Sequence, residues 1–135
     1  MYKMPDFDVV HTINAPVEKV WEVLVDTSCW LKWGPSVQAV DCPEQYIKKG
    51  TKGRIQTTLG IWVPFEITEF EDNESWSWKI SGFQATGHRL ERIDYNQCRL
   101  IFEVPVLAAP YALVCKLATY RIEKLVKQDS PCCTP

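Results

Sequence analysis

The chain has 135 residues, room for one domain with a sizeable core and too few for two. Its 15 lysines and arginines against 17 aspartates and glutamates give a formal net charge of −2, without the basic surplus of a nucleic-acid binder. A composition of 46% apolar and 24% charged residues excludes a disordered chain, and no apolar run approaches the ~20 residues of a bilayer span.

Phe7, Val9, His11 and Ile13 alternate onto one side of a first strand. Asn14-Ala15-Pro16 then offers a capping side chain and a proline for the first helical turn. Val17, Val20, Trp21 and Leu24 follow at helical spacing, opposite Glu18, Lys19 and Glu22. Asp26-Thr27-Ser28 caps a short second helix that carries Trp30 and Trp33 and ends at Gly34-Pro35. From Val37 to Val104 the period is two, predicting six strands near 37–42, 53–59, 61–69, 75–81, 84–93 and 98–104. They are separated by residues 43–53, Gly60, Asp72-Asn73-Glu74, Ser81-Gly82 and Asp94-Tyr95-Asn96. Connections this short join antiparallel neighbours, so a meander with one buried face is expected.

Leu107, Tyr111, Val114, Ala118, Ile122 and Leu125 recur at spacings of three and four, opposite Lys116, Thr119, Glu123 and Lys127. They predict a helix from about 108 to 127, roughly 30 Å long, with Pro105 and Pro110 at its start. A seven-stranded antiparallel sheet carries far more apolar face than one helix covers. It must curl around that helix, and such curled sheets leave a space beneath it. The expected architecture is thus one α+β domain over residues 1–128. Residues 129–135, ending Ser-Pro-Cys-Cys-Thr-Pro, form a flexible tail.

Ile13-Asn14-Ala15-Pro16, then Val20-Trp21, Leu24, Asp26, Trp30, Trp33, Pro35 and Val37, resembles the opening of the START-like (SRPBCC) superfamily. That superfamily includes the birch-pollen-allergen-like proteins and the polyketide cyclase/dehydrase and lipid-transport group. The order of elements agrees over about residues 6 to 127. The resemblance implies a helix-grip fold, in which the curved sheet wraps the carboxy-terminal helix around an apolar cavity. Members bind lipids, sterols, polyketides, quinones or plant hormones, and some catalyse cyclisation or dehydration. They share no catalytic residue set, so the resemblance leaves catalysis open.

Trp62, Phe65, Trp76, Trp78, Phe83 and Phe102 all fall in predicted strands. Trp76, Trp78 and Ile80 share a face by alternation, as do Val63, Phe65 and Ile67, and Leu100, Phe102 and Val104. Tryptophan suits a wall facing a flat, weakly polar ligand; alternatively these rings fill the interior solidly. In residues 86–93, Leu90 is the natural inward residue and would bring His88 and Arg92 with it, unless a bulge at Gly87 resets the register. Facing inward, His88 is suited to moving protons and Arg92 to gripping a carboxylate or polarising a carbonyl, as an aldol-type cyclisation or dehydration requires. The other reading is a histidine held by a backbone carbonyl and an arginine paired at the rim with Glu91 or Asp94. The expected ligand-lining set is Trp62, Phe65, Trp76, Trp78, His88, Leu90, Arg92, Phe102 and Tyr111.

His11 reads as a core or edge histidine. Glu66 and Glu69 lie on opposite faces of their strand, so one of them should point inward. Lys116, Arg121, Lys124 and Lys127 give the last helix a mildly positive face, and Lys48, Lys49 and Lys52 cluster near Gly50. Such a patch suits a weak membrane-surface contact, although a solvated face is its ordinary meaning.

The amino terminus, Met1-Tyr2-Lys3-Met4-Pro5-Asp6, lacks a signal-peptide core, so a cytoplasmic location is expected. In that setting Cys29, Cys42, Cys98, Cys115, Cys132 and Cys133 read as buried or idle thiols. No Cys-x-x-Cys pair occurs and His11 and His88 stand far apart, so neither a metal nor another cofactor is expected. The reading is a module holding one hydrophobic or amphipathic small molecule, of the lipid, polyketide, sterol or quinone class, between the sheet and the last helix. It implies no nucleic-acid partner and no stable membrane insertion. Two alternatives stand beside it: a cyclase or dehydratase using His88 and Arg92, and a protein-interaction domain with a filled cavity. Ligand identity and oligomeric state are not legible.

Overall fold

The computed structural model describes residues 6–105 and 111–128. β1 (Asp6–Ile13) leads into α1 (Val17–Val25) and α2 (Thr27–Trp33). There follow β2 (Val37–Asp41), β3 (Lys52–Thr57), β4 (Trp62–Glu71), β5 (Ser75–Ile80), β6 (Phe83–Asp94), β7 (Gln97–Pro105) and α3 (Ala112–Val126). The seven strands form one sheet in the order β1-β7-β6-β5-β4-β3-β2, with every neighbour antiparallel. α1 and α2 therefore carry the chain from one edge strand to the other, and α3 packs against α1, α2, β1 and β7. The expected start of α3 near residue 108 and the tail 129–135 lie outside the described residues.

Local chemistry explains the element ends. Asp26 accepts hydrogen bonds from the backbone N–H of Ser28 at 2.9 Å and from its hydroxyl at 2.6 Å, capping α2 as its sequence predicts. Asn14 does not cap α1. Pro16 holds the N-cap position, and the Asn14 side chain instead accepts from Gln97 Nε2 at 2.9 Å. The turn between β5 and β6 is Ser81-Gly82, with φ of 52° and 82°, the positive pair that a type I′ hairpin needs.

Bulges give the sheet its curl. Register shifts occur between Val37 and Ala39, Ile67 and Glu69, Ser77 and Lys79, and Arg92 and Asp94; each bends its strand and adds twist. The shift in β4 corrects one expectation. Because alternation breaks at Thr68, Glu66 and Glu69 both face outward, and neither carboxylate enters the interior. The shift in β5–β6 falls just before Gly87, where Trp78 alone faces Ala85 and Thr86. A Cβ at Gly87 would lie 2.6 Å from Glu103 Oε1 and 3.1 Å from Ser77 Oγ, so a side chain there would displace the Glu103 carboxylate.

Cys42, Cys98 and Cys115 are free, whereas Cys29 is disulfide-bonded and departs from the expected idle thiols. Cys132 and Cys133 lie outside the described residues. Among the described residues no helix is long and apolar enough to cross a membrane.

Candidate functional site

The concave face is divided along the strands. At the end where β4 meets β5, rings fill the interior. Trp21 packs edge-on to Phe70 at 5.5 Å, and Trp30 stacks on Trp76 at 5.5 Å between ring centres. The indole donors of α1 and α2 are all used, two within the helix pair and one on the β4–β5 turn. Trp30 Nε1 donates to Leu24 O at 3.0 Å, Trp33 Nε1 to Val23 O at 3.1 Å and Trp21 Nε1 to Asp72 Oδ1 at 3.1 Å. With their N–H groups satisfied, the ring faces are left for apolar contact.

Toward the other end the face is open. A cavity of about 600 Å³ lies between the sheet, the corner from α2 to β2, and the start of α3, a size suited to one small organic molecule. Val63, Trp78, Ile80, Ala85 and Phe102 supply its sheet wall, and Val114, Cys115 and Ala118 its helical roof. It opens where the exposed Phe83, Gln84 and Tyr111 line it. Beside that opening the Tyr111 and Ser36 hydroxyls share a hydrogen bond.

His88 stands at the boundary of the two parts, stacked on Trp76 with 3.9 Å between ring centres and edge-on to Phe102 at 4.7 Å. Its hydrogen bonds set its tautomer. The Trp76 carbonyl, 3.2 Å from Nδ1, can only accept, so Nδ1 carries the proton. Nε2 then accepts from the Thr86 hydroxyl at 3.2 Å, and Thr86 Oγ1 accepts from Trp78 Nε1 at 3.1 Å. Burial pushes the imidazole down to a pKa of about 3, against a smaller upward effect of the Trp76 carbonyl, so the ring is neutral near pH ~7. Burial likewise raises the Tyr111 hydroxyl, and raises the Cys115 thiol to about 11. No aspartate, glutamate, lysine or arginine occurs among the described lining residues, and no described cluster of side chains suits a metal ion.

Of the expected lining set, Trp78, His88, Phe102 and Tyr111 meet at the cavity. Phe65, Trp76 and Leu90 face the same way but are buried in the filled part, behind the wall. Trp62 is a correction. It alternates with the inward Val63 and Phe65, so it sits on the convex face, where the Arg54 guanidinium lies 4.8 Å from its ring centre. Arg92 is a second correction. It shares a face with His88 by alternation, but four residues at ~3.3 Å each carry it about 13 Å along β6, beyond the cavity. There it is exposed and pairs with Glu18 of α1 at 2.5 Å, so the structure does not bring His88 and Arg92 together.

His11 pairs with Glu123 of α3 at 2.9 Å, an edge contact away from the cavity lining. Sequence reasoning passed over Ser36, Thr57, Gln84 and Thr86, the lining residues with uncharged polar side chains. Thr86 had a local signal, since it shares alternation with His88. Ser36 had none, because its partner Tyr111 is 75 residues away.

The model of the family described as polyketide cyclase / dehydrase and lipid transport matches residues 4–126. No curated protein matches the chain in sequence. Among solved structures, a Zhui aromatase/cyclase from Streptomyces sp. R1128 superposes with a TM-score of 0.71 at 14% identity, covering 93% of this chain and 94% of that one. Protein BH1534 from Bacillus halodurans gives 0.71 at 17% identity, over 93% and 99% of the two chains. Protein XoxI from Bacillus cereus gives 0.71 at 11% identity, over 93% and 97%. At these identities the likeness is one of fold.

Proposed function

We propose a ligand-holding role for this chain, which belongs to the polyketide cyclase / dehydrase and lipid transport family. It holds one hydrophobic or amphipathic molecule, of the lipid, polyketide, sterol or quinone class, that is uncharged where it lies between the sheet and α3. One observation carries this reading: the 600 Å³ cavity has no charged residue among its described lining, and burial keeps His88, Tyr111 and Cys115 neutral there. A carboxylate or phosphate drawn inside would lose its hydration with no cation to replace it. Burial of the apolar body supplies the affinity, at ~25 cal/mol per Å² before the cost of immobilisation. The Ser36 and Tyr111 hydroxyls share one hydrogen bond and keep capacity for a ligand's hydroxyl or carbonyl.

A cyclase or dehydratase built on His88 and Arg92 has less support. Both imidazole nitrogens are engaged by protein groups, and Arg92 faces Glu18 rather than the cavity. A filled interaction domain is hard to reconcile with the open volume.

Native mass spectrometry with tetradecanol and with tetradecanoate, at a pH where the acid is ionised, tests the reading. The alcohol is expected to bind at least about tenfold tighter, and Ala85→Phe, which projects a ring into the cavity, to abolish its uptake. Equal or tighter binding of the carboxylate would overturn the proposal.

A further inference from the structure

The polar groups around the cavity fall into two sets. In the wall, Trp78 Nε1 donates to Thr86, Thr86 to His88, and His88 to the Trp76 carbonyl, so every donor of that chain is used. Gln84 Nε2 donates to Trp78 O at 3.3 Å. The unused capacity lies where the α2–β2 corner, β3 and the start of α3 meet the cavity.

Thr57 is the unusual member of this second set. It follows Ile55 by two residues on β3, and both line the cavity. Its backbone is engaged on both sides: the N–H donates to Ile61 O at 2.9 Å, and the carbonyl accepts from the Gly60 N–H at 2.8 Å. Its hydroxyl oxygen, in contrast, is buried and has no hydrogen-bond partner among the described residues. Buried hydroxyls are nearly always paired, so an idle one beside a cavity marks a place for a ligand's polar atom. The oxygen is covered in this rotamer. A step between staggered positions of χ1 exchanges hydroxyl and methyl, and it breaks no hydrogen bond.

Register brings Thr57 beside a second polar pair. It stands opposite Val37, the residue after Ser36, and the Ser36 hydroxyl is hydrogen-bonded to that of Tyr111. One O–H of that pair enters the shared bond, and the other is free to donate. Thr57 adds a second free O–H. Two donors with no charge beside them match one carbonyl oxygen, which accepts twice through its two lone pairs. A carboxylate finds no cation among the described lining, and a ligand hydroxyl brings a donor of its own to desolvate.

We propose that Ser36, Thr57 and Tyr111 form a clamp for the carbonyl oxygen of a neutral ketone, whose apolar body lies against Trp78 and Phe102. The inference rests on the ligand-holding reading and names the group by which that ligand is oriented. Binding gives the Thr57 hydroxyl the partner that it lacks in the protein alone.

The test compares three molecules of one shape, fluorenone, fluorenol and fluorene, by equilibrium dialysis against the whole chain. Fluorenone should bind about tenfold tighter than fluorene, the effect of two hydrogen bonds of ordinary strength, with fluorenol between them. Thr57→Val keeps the side-chain shape and should cut that preference to about threefold or less, as should Ser36→Ala/Tyr111→Phe. The carbonyl stretch of bound fluorenone should lie at lower frequency in the parent protein than in either variant, which a merely structural role would not produce. The urea midpoint of Thr57→Val should be no lower than that of the parent protein, since the hydroxyl removed has no partner to lose. Equal binding of fluorenone and fluorene, or fluorenol binding at least as tightly as fluorenone, would overturn the clamp and leave the cavity reading standing. So would a preference unchanged by Thr57→Val, the result expected if that hydroxyl serves an internal water. Binding of none of the three would overturn it too, and tetradecanol uptake then decides whether the ligand reading falls with it.

Discussion

Trp76 and Trp78 are two residues apart on one face of β5, yet they serve different halves of the interior. Trp76 is wholly buried between the sheet and α2, with Trp30 and His88 stacked against it. Trp78 is nearly as buried but turns one side to the cavity, and its indole nitrogen begins the chain through Thr86 to His88. Where two helices cover the sheet, aromatic volume fills the space. Beyond them the same kind of residue becomes a wall. Composition therefore does not distinguish a core from a pocket here; the reach of α1 and α2 over the sheet does.

The filled half should be the more sensitive to truncation. Trp76→Ala is expected to cost about 3–5 kcal/mol, the usual range for removing a buried aromatic, measured by urea unfolding. A loss below about 1 kcal/mol would mean that the space around Trp76 collapses freely, and the contrast between the halves would fail.

The boundary residue gives a pH signature of intermediate size. The unfolded chain takes up a proton at the histidine below about pH 6.5, whereas folded His88 resists protonation down to about 3. Stability from this group is present above the unfolded value and is lost as pH falls through that window. From about pH 7 to about pH 5 the loss should be about 2 kcal/mol, compared by urea unfolding in the parent protein and His88→Leu. A variant with the same pH slope as its parent would show that another group carries it. The carboxylates of Glu18 and Glu91 are held below their ordinary value, Glu18 chiefly by Arg92 and Glu91 chiefly by Arg99, so their losses come at lower pH.

The smallest effect expected lies outside both halves. Arg92→Ala removes an exposed pair with Glu18, so stability and tetradecanol affinity should stay close to those of the parent protein. A large fall in ligand affinity would return Arg92 to the site and shift weight to the catalytic reading.

Most of the strand order and all three helices were legible because their signals are local: periods of two and 3.6, turn residues and an Asp26 cap. The site was legible only in part. Trp78, His88, Phe102 and Tyr111 follow from facing and position, whereas Trp62 was misplaced although Val63 and Phe65 already claimed the inner face. Glu66 and Glu69 could not be placed from alternation, because one bulge residue, Thr68, reverses the faces downstream and leaves no mark in composition.

The sequence by itself determined the elements, the antiparallel meander and the presence of an apolar face too large for one helix, since each depends on neighbours within a few residues. The tertiary structure alone decided where that face stays empty. It decided that Arg92 lies beyond the cavity while His88 lies in its wall, and that His88 is neutral through Trp76 and Thr86. It also brought Thr57 beside Ser36, and Ser36 to Tyr111, 75 residues away. These outcomes depend on bulges, on how far α1 and α2 reach across the strands, and on contacts between residues distant in the chain. Local periodicity carries no information about distances of that kind.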